Sequence, residues 1–559
     1  MKTKALYLTA AFMLMLGFSS CKMDFVPSDE LNSESLLQSA KGAETVMNGC
    51  YALLKDEVEF LGYASGNTYI RHYTQMSEFP ADNICLSAHT TDPLYEATAY
   101  QMNDGLKNVG TLWMVAYKVI YMTNTVIETL DESKAENHQL LGEAYFMRAL
   151  MHLHMVTLYA KPYSFGRDNL GVPLRTSTAS EVTKRNPVGE VYDQIEKDLQ
   201  RAAELMDKSR GNAGYPCRDA ALGLLSRIYL YMENYDKCIE TVNTMLAGAD
   251  PASKLEPDFA NYFRNTKTSA ETLFCVAHET SDDTGQSSAG SMYYHSDEWK
   301  LGWGEIYPSD PLLYLYERYP SDIRYTAFLE PQYTGDDTYQ VYFPDPESKD
   351  DVSGRVNLYF AAFQKGDGFA FKDGKDTILI EKRTVNGEYF VYYVNYKGTD
   401  CMARVTKKIN NRKSHPIIYM NKYSFQDGNP MLSSPALCRW GEVILNRAEA
   451  YARSGKAAEA LKDVNVIRAR AKIPADGMFD AGKMHGYANA IDVVMDERRM
   501  ELAFEGHRMF DVYRNKQDMD RRYPGAQPWE VVKYDDPRIQ YPIPNNEWTV
   551  SGIEQNPGY

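Results

Sequence analysis

Two stretches far apart in the chain carry the same helix-turn-helix pattern, and that recurrence limits the possible folds more than any other feature. In residues 220–246, Leu225, Ser226 and Tyr229 set a large, a small and an aromatic residue along one helix. A short turn at Glu233 and Asn234 follows, and Tyr235 and Cys238 then supply an aromatic and a small residue on the next. In residues 438–470, Ala448, Tyr451, Gly455 and Ala460 fall in the corresponding slots, with Arg447 standing where leucine is expected. Small residues are needed where two helices cross closely, and large ones fill the groove beside them. A hairpin of this kind cannot bury its apolar face alone, so it stacks on a neighbour. Stacking lets a chain of 559 residues exceed the ~100–200 residues usual for one domain without dividing.

The unit is close to the tetratricopeptide repeat. Apolar spacing predicts further helices at 36–55, 111–130, 139–159, 188–206 and 493–513. Trp113 and Tyr117 fall on helical spacing with Ile120 and Asn124 and read as core. The helical material thus forms two blocks, 35–250 and 432–515. Between them, 251–431 is rich in Gly, Pro, Asp, Tyr and Phe, with alternating stretches such as 388–396 (EYFVYYVNY). The expected fold is mainly α: a tetratricopeptide-like helical superhelix with a large, irregular, loop-rich insertion containing a few short strands. One domain then runs over 35–559, with 516–559 as a C-terminal tail, and the insertion is its variable, ligand-facing region.

The N-terminus reads as an address. Lys2 and Lys4 precede an apolar run over residues 5–18, as in a secretory signal. It ends in Leu16-Gly17-Phe18-Ser19-Ser20-Cys21, which looks like the lipobox of bacterial lipoproteins. Residues 1–20 are then a lipoprotein signal peptide, Cys21 is the acylated residue, and the polar, proline-bearing 21–34 is a tether. Each buried lipid methylene contributes ~0.8 kcal/mol, so two or more chains anchor stably. Beyond the signal no apolar run is long enough to span a bilayer, so the body is anchored to a membrane and does not cross it. A formal charge of −16, without a Lys/Arg-rich block, excludes nucleic acid as a partner. With Cys21 acylated, seven irregularly spaced cysteines remain; that odd number, without any C-x-x-C pair, suggests small buried hydrophobes and no disulfide framework.

No compact enzyme signature occurs: neither H-E-x-x-H nor G-x-S-x-G, P-loop or G-x-G-x-x-G. No catalytic residue, metal ligand or cofactor is assigned. His152 and His154, two apart on a predicted helix, point away from each other and do not share a metal. Across 496–514 (DERRMELAFEGHRMFDVYR), Glu497, Glu501 and Glu505 lie on one helical face. Arg498, Arg499 and Arg508 are expected to be woven through that stripe as a partly buried, fold-defining ion network.

The positive functional clue is aromatic: 42 Tyr and 6 Trp against 21 Phe. Tyr and Trp join a flat apolar face to a polar edge and suit half-exposed contact positions. Sugars present C–H faces that stack on such rings and hydroxyls that pair with Asp, Asn and Arg. The foremost cluster is Tyr293-Tyr294, Trp299, Trp303 and Tyr307, set among Gly290, Gly302 and Gly304 in a predicted loop. A second candidate surface is a polar loop over 62–87, with Asn67, Arg71, Asp82 and Asn83.

Several motifs together carry a family resemblance. They are the Cys21 lipobox; Trp113, Tyr117, Ile120 and Asn124; Glu143-Ala144-Tyr145-Phe146-Met147-Arg148-Ala149 with Tyr159; and 439–451 (RWGEVILNRAEAY). The most specific is Glu497-Arg498-Arg499-Met500-Glu501 through Phe504, Glu505, Gly506, Arg508 and Asp511. Tyr541-Pro542-Ile543-Pro544 and the closing Gln555-Asn556-Pro557-Gly558-Tyr559 complete the set. On these residues the chain resembles the SusD-like (RagB/SusD) outer-membrane lipoproteins of Bacteroidetes. The resemblance implies a surface-exposed, lipid-anchored protein of the outer membrane that binds a glycan and acts as a hinged lid on a SusC-like TonB-dependent transporter, without catalysis. It fixes no ligand residues, since those of the family lie in variable loops. Two alternatives stay open: a peptide ligand on the same fold, and a surface glycosidase with two carboxylates ~5–10 Å apart beside the aromatic cluster.

Overall fold

The computed structural model describes residues 40–59, 69–88, 90, 95–179, 184–207, 209–351, 355–385 and 389–559. The signal segment, Cys21, the 21–34 tether and Asn67 lie outside the described residues. The N-terminal block holds α1 (Ala40–Ala52), α2 (Tyr69–Glu78), α3 (Lys107–Thr129), α4 (His138–Tyr159), α5 (Val188–Leu205), α6 (Arg218–Tyr231) and α7 (Tyr235–Leu246). From α3 onward each helix packs against the next. After the insertion, which contains α8 (Asp310–Tyr316), come α9 (Trp440–Arg453), α10 (Ala457–Arg470), α11 (Ala490–Glu501) and α12 (Arg508–Arg514).

The hairpins α6/α7 and α9/α10 are the two repeat units seen in the sequence, and they stack on each other despite their separation in the chain. Gly223 lies where α6 meets the second unit: a Cβ there would stand 2.7 Å from Cys438 Sγ. Buried arginines tie neighbouring helices together. Arg148 on α4 donates to both Asp198 oxygens on α5, and Arg227 on α6 to both Glu442 oxygens on α9. Arg447, in the leucine slot, donates to both Asp463 oxygens on α10 at 2.8 Å and to Asn243 Oδ1 of the first unit at 2.7 Å. The position that departs from the repeat pattern is therefore a polar rivet between units.

The helix expected over 493–513 is two helices. Between α11 and α12 the chain turns with Phe504 at φ 68° and Gly506 at φ 76°. A Cβ at Gly506 would lie 2.4 Å from Ser77 Oγ of α2, so only glycine fits. Glu497 and Glu501 are fully buried and Glu505 largely so, and their partners come mainly from elsewhere. Glu497 accepts from Arg324 and Arg468; Glu501 from Arg439 and Arg470; Glu505 from Arg439 and Lys422. Arg498 instead reaches Asp511 and Asn446, while Arg499 and Arg508 reach Asp82. The network joins the C-terminal repeats to the insertion; it is not woven within one helix face.

The insertion is more regular than a few short strands. β1 (Ile84–Leu86) pairs antiparallel with β2 (Ile306–Pro308), in register Cys85 with Tyr307. Six strands then close an antiparallel barrel: β3 (Tyr339–Pro344), β4 (Asn357–Lys365), β5 (Gly368–Asp373), β6 (Asp376–Val385), β7 (Tyr389–Tyr396) and β8 (Thr399–Lys407), with β8 returning to β3. Its interior is a second core, of Val341, Phe343, Phe371, Ile380, Val394, Tyr396, Cys401 and Ala403, separate from the helical core. The three remaining strands that matter below are β9 (Ile418–Met420), paired with 329–331, and the C-terminal hairpin of β10 (Met519–Asp520) with β11 (Val531–Val532).

All seven cysteines after Cys21 are free thiols, six buried and Cys217 partly so. Among the described residues no helix is long and apolar enough to cross a membrane. His152 and His154 are both buried: the first contacts its own helix carbonyl at Arg148, the second lies 2.9 Å from the Tyr69 hydroxyl and stacks on Tyr73.

Candidate functional site

The loop following Tyr293 carries Trp299 and Trp303, which are 51% and 47% exposed although each presents a large apolar ring. Burying such a ring is worth ~2–3 kcal/mol, so two exposed indoles on one short loop need an explanation beyond chance. Their loop is held rigidly. Ser296 N donates to Leu301 O at 2.8 Å, Gly302 N to Gln286 Oε1 at 2.8 Å, and Trp303 N to Ser291 O at 2.6 Å. His295 Nδ1 lies 2.7 Å from Gly302 O. At Gly302, φ is 88°, and a Cβ would fall 2.1 Å from Tyr294 O; the loop closes on itself too tightly for any side chain there. Arg412 donates to the Trp303 carbonyl and to Glu305 Oε1 at 2.8 Å, and Thr90 donates to Glu305 Oε2 at 2.9 Å. The backbone is thus fixed on both sides of each indole while the rings face solvent.

Beneath the loop lies an aromatic footing. Tyr294 is half-buried and meets Phe425 edge-on at 5.1 Å and Tyr419 of β9 at 5.4 Å. Burial, then the neighbouring Glu330 carboxylate, pushes its phenol up, so it remains a neutral hydroxyl. Tyr293 and Tyr307 are corrections: Tyr293 is wholly buried against Tyr423 and Phe504, and Tyr307 is wholly buried in β2 and donates to Gly304 O at 2.8 Å, so it braces the loop from below and does not face a ligand.

The second candidate surface is also corrected. The stretch around Arg71 is not a polar loop but α2, a helix buried on every side. Its apolar residues Tyr69, Ile70, Tyr73 and Met76 share it with polar ones that are buried as well: Thr74 and Ser77 donate to carbonyls one turn back, and His72 Nε2 lies 3.2 Å from Asn108 Nδ2. Arg71 is buried within it. Asp82 is buried too, accepting from Arg508 at 2.6 and 2.9 Å, and Asn83 Oδ1 accepts from Arg499 at 2.8 Å. Burial opposes ionisation of Asp82, but the Arg499 and Arg508 guanidiniums outweigh it and hold its carboxyl well below the usual range. These residues clamp α2 to the C-terminal repeats. Asn67 lies outside the described residues.

The structure therefore unites Trp299, Trp303 and Tyr294 on one buttressed loop and separates them from Arg71, Asp82 and Asn83. It adds Tyr419, Arg412, Gln286 and Glu305, which sequence reasoning did not select. Among the described residues, no group of three His, Cys, Asp or Glu side chains is placed to hold a metal ion.

This fold has solved counterparts. The profile described as the SusD family matches residues 270–559, and one described as "Starch-binding associating with outer membrane" matches 29–230. The chain belongs to the SusD family. It is 25% identical over 532 residues to SusD-like protein P2 of Formosa agariphila, covering 91% of this chain and 90% of that protein. A SusD superfamily structure from Bacteroides thetaiotaomicron superposes with a TM-score of 0.68 at 21% identity, over 92% of this chain and 99% of that one. A SusD-like carbohydrate binding protein from Bacteroides fragilis does so with a TM-score of 0.61 at 15% identity, over 92% and 99%.

Proposed function

We propose that this protein is a cell-surface glycan-binding lipoprotein, acylated at Cys21 and held on the outer membrane, that captures oligosaccharide or polysaccharide and passes it to a SusC-like TonB-dependent transporter. The observation that carries the reading is the pair of solvent-facing indoles, Trp299 and Trp303, on a loop whose backbone is pinned by Gln286, Ser291 and Arg412. Rigid aromatic faces stack on the C–H faces of sugar rings at little entropic cost, because nothing in the loop has to be ordered first. Glu305, Arg412 and the Tyr294 hydroxyl supply polar groups at the edge of that surface. The names of the matched family profile and of the B. fragilis relative agree with a carbohydrate ligand. No step of capture and transfer calls for catalysis by this chain.

The test is native electrophoresis of the unlipidated protein through gels containing plant, microbial and host polysaccharides, with the eluates assayed for released sugars. Retardation by at least one polymer without sugar release is the expected result. Retardation by none would direct attention to peptides, and released sugar would make the protein an enzyme.

A further inference from the structure

A second surface has the make-up of a ligand site. Between the outer face of the barrel and the C-terminal hairpin lies an open cleft of 560 Å³, within the ~300–1,000 Å³ usual for small-molecule sites. One wall follows from strand alternation. Ile380, Val394, Cys401 and Ala403 point into the barrel core, so Arg383, Tyr393, Asp400 and Met402 share its outer face. Tyr393 and Met402 are direct cross-strand partners. The Arg383 guanidinium lies 4.1 Å from the centre of the Tyr393 ring and donates to both Asp400 oxygens, at 2.5 and 2.8 Å. The other wall is Trp529 with the Asp520–Arg522 pair, joined at 2.8 and 3.0 Å. This wall is fixed to the scaffold: Tyr523 donates to Ile84 O at 2.8 Å and Arg521 to Thr98 O. Trp529 packs against the barrel core with its indole Nε1 buried, and the residue lines the cleft.

The floor is thus aromatic and thioether, and the rim alternates charge: Lys349 with Asp350, Arg383 with Asp400, Arg522 with Asp520. The three cations and three anions cancel, so neither an acidic nor a basic ligand gains a net Coulomb attraction. What they offer is closely spaced donors and acceptors around an apolar floor, which match vicinal hydroxyls around the C–H face of a pyranose. We infer that this cleft is a second saccharide site, taking a neutral oligosaccharide segment, so that one polysaccharide chain is held both here and at the Trp299/Trp303 loop. The inference rests on the glycan-binding reading above. Two-point attachment raises apparent affinity for polymer without new contacts at either site.

The experiment uses the unlipidated full chain and a panel of neutral polysaccharides (amylopectin, galactomannan, xyloglucan, laminarin), with polygalacturonate as the charged control, read by isothermal titration. Asp520→Ala with Arg522→Ala removes only an exposed pair; Tyr393→Ala is a second, independent cleft variant should the hairpin shift. In a protein already carrying Trp299→Ala and Trp303→Ala, residual binding to one neutral polymer is expected, changing less than about twofold between 50 and 500 mM salt. Either cleft variant should reduce that residual binding at least tenfold. If the wild type binds but the loop variant binds nothing, the loop reading stands and the cleft is overturned. If the loop variant binds as the wild type does and the cleft variants abolish it, the cleft stands and the loop reading falls. Residual binding untouched by both cleft variants, preference for polygalacturonate, or no binding by the wild type would each overturn the cleft.

Discussion

Glu78 shows how single side chains of this protein do work that their residue type conceals. It is buried at the end of α2 and accepts from the backbone amides of Phe504, at 3.3 Å, and Gly506, at 3.1 Å, in the turn between α11 and α12. Burial pushes its carboxyl up to about 7, against the pull of those amides, Asn83 and Lys422. The unfolded chain releases this proton near 4.5, so the folded state holds it over a window in which the unfolded state does not. Its stabilising contribution is complete below the unfolded value and is lost as pH rises through the folded one. Glu78→Gln is therefore expected to gain about 2 kcal/mol relative to wild type between pH 5 and pH 8, measured by urea unfolding at the two values. A constant difference across that range would contradict the assignment. Arg447 makes the opposite point. Leucine there would satisfy the repeat pattern, yet Arg447→Leu leaves Asp463 buried without its guanidinium and should cost about 3–5 kcal/mol. Arg447→Leu with Asp463→Leu is expected to recover most of that loss in chemical denaturation, because removing both charges removes the desolvation penalty as well.

At the scale of elements, the loop bearing Trp299 and Trp303 depends on one glycine. Gly302→Ala puts a Cβ against the Tyr294 carbonyl in a backbone conformation that alanine rarely adopts. It should weaken glycan binding at least tenfold while leaving far-UV circular dichroism unchanged, since the helical blocks make no use of that turn. The elements that were legible in the sequence are the long helices and the repeat units: α3, α4, α5 and both repeat hairpins fall within a few residues of the predicted spans. Short or unusually polar elements were not. α2 is buried all round and carries Arg71, His72, Gln75 and Glu78, so its polarity reads as loop. The break before α12 was written in Gly506 but masked by continuous helical spacing on either side. The barrel strands β4 and β6 expose Phe363 and Leu379 on the outer face, which blurs the alternation that would have marked them. In the candidate site, Trp299 and Trp303 stood out by residue type. Tyr307, Asp82 and Asn83 misled because the side chains that suit a glycan surface, phenols, carboxylates and amides, also brace buried turns.

For the whole molecule, the buried charges explain how a long insertion is kept in one orientation on a repeat scaffold. Lys422 of the insertion donates to Glu505 and to the Ala503 carbonyl, both at 2.9 Å, and Arg439 reaches Glu271, Glu501 and Glu505. Directional pairing of this kind fixes position where apolar packing alone would permit sliding, so the insertion that bears the aromatic loop is held in one orientation on the helices behind it. The most direct test of that account is isothermal titration of the polysaccharide that retards the wild-type protein against the Trp299→Ala, Trp303→Ala variant, with thermal unfolding as the control for the fold. Affinity lower by at least tenfold, more than 1.4 kcal/mol, at an unchanged melting temperature is the expected result. Undiminished affinity in a folded variant would contradict it.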